Sequence, residues 1–231
     1  MQGTLVCFGD SFTKGKVFDL KDKDFRITAK NFPNLLARGL PLIKVINAGV
    51  NDNTTFDALN RIEKDVLAKN PNYVLILFGG NDVRIDWFKL IISGFRDPKS
   101  KVSLKDYRVN LIKMVSILRK NTILPILVTL PPIDTSQFLK RLSIAFGTRI
   151  ISIIKKHSGG KRIKCTYAKY NDAIKTIAKN TKVPIIDLRR EMLKFKNWQD
   201  FLSQDGAHPS TKGHAFMAKI IADSLNKLIF K

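Results

Sequence analysis

Three residue types that together support nucleophilic catalysis lie near the two ends of the chain. Ser11 follows Gly9-Asp10, and Asp205 precedes His208 by three residues. A serine hydroxyl becomes an effective nucleophile when an imidazole accepts its proton, and a carboxylate on the other ring nitrogen holds the required tautomer. We therefore predict Ser11 as a nucleophile, His208 as its base and Asp205 as the residue that orients the base.

Each of these residues also has a structural interpretation. Ser11 could cap a helix from a turn, Asp205 could open an Asp-Gly turn, and His208 could bond only to backbone. The chain has two other histidines. His157 lies in a basic loop sequence, and His214 falls in the first turn of a predicted helix, where packing or capping is expected. His208 is therefore the favoured base.

Alternating short apolar and longer amphipathic runs indicate the elements that position these residues. Strands are predicted at about 3–8, 43–47, 73–78, 123–130 and 183–187, and helices at about 54–69, 103–120 and 210–229. The pattern predicts a three-layer α/β/α fold with a flavodoxin-like, five-stranded parallel sheet. Ligands bind beyond the carboxyl ends of such strands, so we expect Ser11, residues 51–53 and residues 79–82 to converge on one edge.

Size and charge set broad limits. A chain of 231 residues favours one domain, 1–231, and a net charge of +22 predicts attraction to anionic partners. The two cysteines, Cys7 and Cys165, have no metal-site spacing, and no apolar run reaches the roughly 20 residues of a membrane span. The N-terminus lacks signal-peptide features. We therefore expect a cytoplasmic protein, although a signal peptide removed beforehand stays open.

One basic segment interrupts the regular alternation. Residues 135–171 contain nine lysines and arginines and no acidic residue, with apolar residues at roughly helical spacing among them. We interpret the segment as a basic amphipathic insertion. It could act as a lid or lie on an anionic membrane, or its apolar residues could pack on the sheet while its lysines face solvent.

The motifs resemble those of the SGNH/GDSL hydrolases across essentially the whole chain. The first block reads Gly9-Asp10-Ser11-Phe12, the third Gly79-Gly80-Asn81-Asp82, and the last Asp205-Gly206-Ala207-His208-Pro209. The resemblance implies a serine hydrolase that cleaves carboxylic esters through an acyl-Ser11 intermediate. It also implies that neither a metal nor an organic cofactor is required.

The family's oxyanion hole implies three donors here: the Ser11 backbone amide, the Asn81 side chain and a backbone amide in the second block. At the position usually held by glycine in that block, this chain has Asp52. Its backbone amide survives the change, but its carboxylate would oppose an oxyanion unless the side chain turns away. Asn81 could alternatively cap a helix.

The resemblance implies several substrate classes without choosing among them. They are lipid, lysophospholipid and small acyl esters, thioesters, and acetylated carbohydrates. A different class, a basic module that binds nucleic acid or an anionic membrane on a hydrolase-like fold, is supported by the charge of +22. The sequence has no nucleic-acid-binding motif, which disfavours a nucleic-acid partner. The oligomeric state stays open.

Overall fold

A computed structural model describes residues 3–19, 21–84, 99–148, 152 and 159–229. Five parallel strands form the central sheet in the order β4-β1-β5-β6-β7, and β2 and β3 form a separate antiparallel hairpin. The strands are β1 Gly3–Gly9, β2 Lys16–Asp19, β3 Asp24–Ile27, β4 Ile43–Gly49, β5 Tyr73–Leu77, β6 Leu124–Val128 and β7 Ile185–Ile186.

Helices cover both faces of the sheet. They are α1 Ser11–Lys14, α2 Phe32–Gly39, α3 Thr55–Asp65, α4 Leu104–Lys120, α5 Thr135–Phe146, α6 Gly159–Thr181, α7 Leu188–Leu193 and α8 Thr211–Ile229, with 3-10 turns at Leu67–Lys69 and Trp198–Phe201. In this order β4 lies on one side of β1, and β5, β6 and β7 follow one another on its other side. Because parallel crossovers are right-handed, α2 lies on one face, where α8 joins it, and α3, α4 and α6 lie on the other. The predicted three-layer α/β/α fold is confirmed.

The reversal of direction beside β1 creates the topological switch point of the sheet. The ends of β1 and β4 are paired at Gly9 and Gly49, and Gly9 also pairs with Leu77 of β5. Open α/β sheets bind ligands at such a point. The fold therefore places the residues after β1, β4 and β5 around one crevice.

The predicted strands are present, but the last two are shorter than expected. Beyond β6, the Leu130 amide donates to the Asn171 side chain at 2.9 Å and so leaves the ladder. Beyond β7, the Asp187 side chain accepts from the Arg190 amide and begins α7. The predicted helix over 54–69 also divides, since α3 ends at Asp65 and a 3-10 turn follows. Side-chain bonds from Asn171 and Asp187 thus mark the ends of β6 and β7, whereas backbone bonds alone mark the end of α3.

The described part of the basic segment folds as α5 and α6. Its buried apolar residues either join a small cluster with Leu139, Leu142 and Ile163 or, like Tyr167, enter the main core. The helix α6 exposes its basic residues Lys161, Arg162, Lys164 and Lys169. The basic-insertion interpretation stays a prediction, because residues 149–151 and 153–158 lie outside the described residues. They include Arg149, Ile150, Ile153, Ile154, Lys155, Lys156 and His157.

Candidate active site

Ser11 lies at the switch point, directly after β1. The Asp10 side chain accepts a hydrogen bond from the Phe12 amide at 2.9 Å and so caps the short helix α1, of which Ser11 is the first residue. This is the backbone-bonding role expected for an Asx turn. The Ser11 Oγ lies 3.0 Å from His208 Nε2. Ser11 is buried, and the cap fixes its backbone beside the imidazole.

Asp205 and His208 come from the loop between the second 3-10 turn and α8. The Asp205 Oδ2 lies 2.6 Å from His208 Nδ1, the ring nitrogen that faces away from Ser11. The Asp205 Oδ1 accepts from the Ser203 hydroxyl at 2.8 Å and from the Ala207 amide at 3.1 Å. A single turn of loop thus brings the carboxylate onto the ring, as the three-residue spacing predicted.

The environment keeps Asp205 ionised. Burial by itself would raise the pKa of this carboxyl, but the hydrogen bond and charge interaction with His208, together with the Ala207 amide and Ser203 hydroxyl, hold it below the ordinary value. An ionised Asp205 accepts the Nδ1 proton of His208. The tautomer with a free Nε2 lone pair toward Ser11 is therefore the favoured one.

Gly206 allows the loop to pack closely against α5. Its φ is +73°, and a Cβ there would lie 2.6 Å from the Asp134 carbonyl oxygen and 2.7 Å from the Phe138 amide nitrogen. The Asp134 amide donates to the Gly206 carbonyl at 2.8 Å. The loop that carries Asp205 and His208 is thus bonded to the start of α5.

Asn81 lies on the opposite side of the crevice, after β5. Its Nδ2 donates to the Asn53 carbonyl at 3.0 Å and lies 3.5 Å from Asp10 Oδ2. The Nδ2 carries two hydrogens, and each can bond to one acceptor. The bond to Asn53 fixes the amide plane. The second hydrogen is only weakly bound, because its distance to Asp10 is long. That hydrogen is the one available to a ligand.

The second-block residue Asp52 turns its carboxylate out of the crevice. The backbone of Asp52 is left-handed, with φ +61°, a conformation that glycine adopts without strain and aspartate tolerates. Its side chain is 59% exposed, with carboxylate oxygens 3.9 Å from Lys16 Nζ and 3.5 Å from Arg84 Nη1. The positive φ explains why glycine suits this position, and the two cations explain how aspartate is accommodated.

A buried network connects Asp82 of the third block with the start of α3 and with α4. The Asp82 Oδ1 accepts from the Thr55 amide at 3.0 Å and from the Thr55 hydroxyl, and the Thr55 hydroxyl also accepts from Asn110 Nδ2 at 3.0 Å. Burial, opposed by the bonds from Thr55, raises the pKa of Asp82 to about 6. Burial raises the pKa of Asp10 to about 7. The hydrogen bond from the Phe12 amide opposes this shift, and the nearby charge of Asp82 adds to it.

Sequence reasoning missed Arg61 of α3, which bonds to the ends of β1 and β4 and to the loop after β4. Its guanidinium donates to the Gly9 carbonyl at 2.8 Å, the Ala48 carbonyl at 2.9 Å and the Asn53 side chain at 2.6 Å. It also lies over the Phe8 ring, 4.5 Å from the centroid. The sequence signal was weak, because an arginine four residues before Asp65 resembles an ordinary surface pair.

His214 has a structural role and not a catalytic one. His214 is fully buried, stacks on Phe32 with 6.3 Å between ring centroids, and accepts from the Phe32 amide at 3.4 Å. Burial lowers the pKa of His214 to about 4. This is the packing role expected for it, whereas His157 lies outside the described residues.

Neither a metal cluster nor a membrane span is present in the described part. Within those ranges, no group of three or more His, Cys, Asp or Glu side chains is placed to hold a metal ion. None of the helices described there combines the length and apolar character that crossing a bilayer requires.

Known proteins share both sequence and fold with this chain. A model of the GDSL-like lipase/acylhydrolase family matches residues 7–216. The uncharacterized lipoprotein YqeF of Bacillus subtilis is 31% identical over 202 residues, which cover 87% of this chain and 73% of that protein. The acetylxylan esterase of Geobacillus stearothermophilus is 26% identical over 182 residues, 77% of this chain and 69% of that enzyme. The crystal structure of a lipase/acylhydrolase from Enterococcus faecalis has a TM-score of 0.73 and 24% identity, covering 99% of this chain and 97% of that one.

Proposed function

We propose, from the premise that the chain belongs to the GDSL-like lipase/acylhydrolase family and hydrolyses esters, that Ser11, His208 and Asp205 carry the reaction. The supporting observation is the continuous contact from Ser11 Oγ to His208 Nε2 at 3.0 Å and from His208 Nδ1 to Asp205 at 2.6 Å. A nucleophile, a base and an orienting carboxylate in this geometry are the elements of acyl transfer to serine.

The reaction proceeds in two stages. Ser11 Oγ attacks the ester carbonyl carbon while His208 Nε2 takes the hydroxyl proton, and the imidazolium then donates that proton to the departing alcohol oxygen. Water attacks the acyl-Ser11 carbonyl with His208 again as base, releasing the acid and restoring the serine. Throughout, the ionised Asp205 stabilises the imidazolium through Nδ1.

Three donors stabilise the tetrahedral intermediates in this proposal. They are the backbone amides of Ser11 and Asp52 and the Asn81 Nδ2. Support comes from Asn81, whose amide is oriented by the Asn53 carbonyl at 3.0 Å, and from Asp52, whose exposed carboxylate pairs with Lys16 and Arg84. Preorganised donors of this kind contribute about 3 to 4 kcal/mol each to transition-state stabilisation.

For the acyl group, we propose a short chain such as acetyl. One of the relatives is named an acetylxylan esterase and shares 26% identity over 77% of this chain. Lipid esters and thioesters are the competing substrate classes.

We also propose peripheral contact with anionic membranes, through charge alone. The basic residues Lys161, Arg162 and Lys164 of α6 are exposed, while Ile163 and Tyr167 on the same helix are buried. The helix therefore offers cations rather than an apolar face to a lipid surface. Juxtaposed Lys and Arg residues contribute about 1 kcal/mol each at an anionic bilayer.

A fluorophosphonate probe and short-chain p-nitrophenyl esters test the assigned nucleophile. We expect the protein to be labelled and to hydrolyse the esters, and Ser11→Ala to abolish both. Ser224→Ala is the matched control, because the Ser224 hydroxyl only donates to the Ile220 carbonyl within α8. Labelling that persists in Ser11→Ala would exclude Ser11 as the nucleophile.

A further inference from the structure

The β2–β3 hairpin presents a basic and aromatic face to His208. Phe18 pairs with Phe25 across the hairpin, and side chains alternate along each strand, so Lys16, Phe18 and Phe25 share one face. Phe25 is the member of that face whose ring contacts the imidazole, at 5.2 Å between centroids. The charged residues of the opposite face are Asp19, Asp24 and Arg26.

Arg141 of α5 extends this face. Its guanidinium carbon lies 4.7 Å from the Phe18 ring centroid and 5.6 Å from that of Phe25. The Arg141 Nε is buried without a hydrogen-bond partner in the part of the chain that the structure describes. A guanidinium that stacks on aromatic rings and keeps its Nε donor unpaired is well suited to bind a carboxylate or phosphate.

Lys16 and Arg84 add positive charge near the Asp52 carboxylate. The Lys16 Nζ lies 4.4 Å from the Phe25 ring centroid, and Asp52 is within 4 Å of both Lys16 and Arg84. One carboxylate thus faces two cations, and it is 59% exposed. Since two cations face one carboxylate, this part of the rim keeps a positive excess.

The reaction defines which part of an ester meets these cations. His208 must donate a proton to the leaving oxygen, so the alcohol moiety lies beside the imidazole. Phe25 borders the imidazole, and both Lys16 and Arg141 pack on Phe25. The cations therefore face the alcohol moiety rather than the acyl group.

We propose that the preferred ester carries a carboxylate or phosphate on its alcohol moiety and that Arg141 and Lys16 bind this anion. The inference rests on the function proposed above and specifies the class of its leaving group. The net charge of +22 attracts anions to the whole surface, whereas Arg141 and Lys16 add a local preference that substitutions can isolate.

Matched acetate esters test the inference. The probes are 4-acetoxybenzoate, 4-acetoxyphenyl phosphate and the neutral 4-acetoxybenzamide, and each kcat/KM is divided by the uncatalysed hydrolysis rate of the same ester. We expect about a tenfold preference for an anionic ester at low salt, which high salt reduces because the cations are partly exposed. The two anionic probes distinguish a carboxylate from a phosphate as the favoured group.

Substitutions locate the source of the preference. Arg141→Gln and Lys16→Gln are each expected to lower the anionic-to-neutral ratio about threefold or more. Arg26→Gln is the matched control, because it removes the same charge from the opposite face of the hairpin, where Arg26 pairs with Asp19; we expect the ratio to stay unchanged.

Two results separate this inference from the proposed function. If the unaltered protein cleaves the neutral ester as efficiently as both anionic esters, or if Arg26→Gln lowers the ratio as much as Arg141→Gln, the anion site is wrong while ester hydrolysis stands. If no ester is turned over and the fluorophosphonate does not label Ser11, the proposed function fails and the inference fails with it. The salt dependence of the unaltered protein provides a readout even if a variant does not fold.

Discussion

Asp205 binds both the ring and the backbone of His208. Its Oδ2 lies 2.6 Å from the ring Nδ1, and its Oδ1 accepts from the His208 backbone amide at 3.0 Å. One carboxylate therefore fixes the position of the loop and the orientation of the imidazole together. Substitutions of Asp205 can separate the two effects, because an amide keeps one acceptor oxygen and replaces the other with a donor.

Asp205→Asn should preserve the loop and disrupt the tautomer. The Asn oxygen can still accept from the backbone amides, but its NH₂ would face Nδ1 and favour the ring form that carries its proton on Nε2. We expect kcat for p-nitrophenyl acetate to fall by about 10³ to 10⁴. The control is Asp200→Asn, an exposed aspartate paired with Lys212 nearby. A decrease smaller than about tenfold would contradict the proposed role.

The sheet and the placement of the nucleophile could be predicted because the signals are local. Short apolar runs marked all five strands of the central sheet, and the segments with Ser11, Asp52 and Asn81 follow β1, β4 and β5. The Asp205 to His208 spacing also predicted their contact, since three residues span one loop turn. Sequence patterns were therefore sufficient to predict contacts between residues that are close together in the chain.

Contacts between distant segments could not be predicted in this way. Phe25 reaches His208 only because the β2–β3 hairpin folds over the crevice, and nothing local in residues 16–27 specifies that approach. Arg61 likewise bonds to Gly9 and Ala48 at the ends of two strands. The sequence around Arg61 is that of an ordinary exposed helix surface and does not indicate these bonds. The direction of the Asp52 side chain depended on Lys16 and Arg84, whose positions come from tertiary structure.

Asp52→Gly should retain most of the activity. The proposed contribution of Asp52 is its backbone amide, which glycine also provides, and glycine adopts the observed φ of +61° without strain. We expect kcat for p-nitrophenyl acetate to remain within about threefold of the unaltered protein, because the donor is kept. A loss greater than about a hundredfold would show instead that the carboxylate takes part.

Asn81→Ala removes the proposed side-chain donor. Alanine offers no donor in place of the oriented amide, so we expect kcat to decrease by about 10² to 10³ with a smaller change in KM. Asn226→Ala on the exposed surface of α8 is the control. Because Asn81 also donates to the Asn53 carbonyl at 3.0 Å, thermal unfolding of the variant is measured in parallel. If Asn81→Ala is folded and fully active, the assignment is wrong.

Asp10→Asn should change how stability depends on pH. The pKa of Asp10 is raised from 3.8 to about 7, so between these values the folded protein holds a proton that the unfolded chain has lost. Stability is then greatest at the acidic end and decreases as pH rises through that window. Asparagine does not ionise and can still accept from the Phe12 amide.

The measurement is the free energy of unfolding in urea at pH 4.5, 6 and 7.5. We expect the decrease across this range to be smaller in Asp10→Asn than in the unaltered protein, since each pKa unit corresponds to about 1.4 kcal/mol. Asp82, whose pKa is raised to about 6, retains part of the slope. Asp223→Asn on α8 is an exposed control. Parallel curves for Asp10→Asn and the unaltered protein would show that Asp10 is already ionised throughout.

Charge reversal on α6 should weaken binding to anionic vesicles. The triple variant Lys161→Glu, Arg162→Glu and Lys164→Glu changes exposed positions only, and we expect it to reduce co-sedimentation with phosphatidylserine-containing vesicles at low salt by at least about tenfold. The unaltered protein should also lose binding as salt rises, because exposed charges are screened. A second triple variant, Lys44→Glu, Arg38→Glu and Lys30→Glu, makes the same change in net charge at exposed positions elsewhere. Equal losses in the two variants would assign the attraction to net charge rather than to α6, and absence of vesicle binding by the unaltered protein would contradict the membrane proposal.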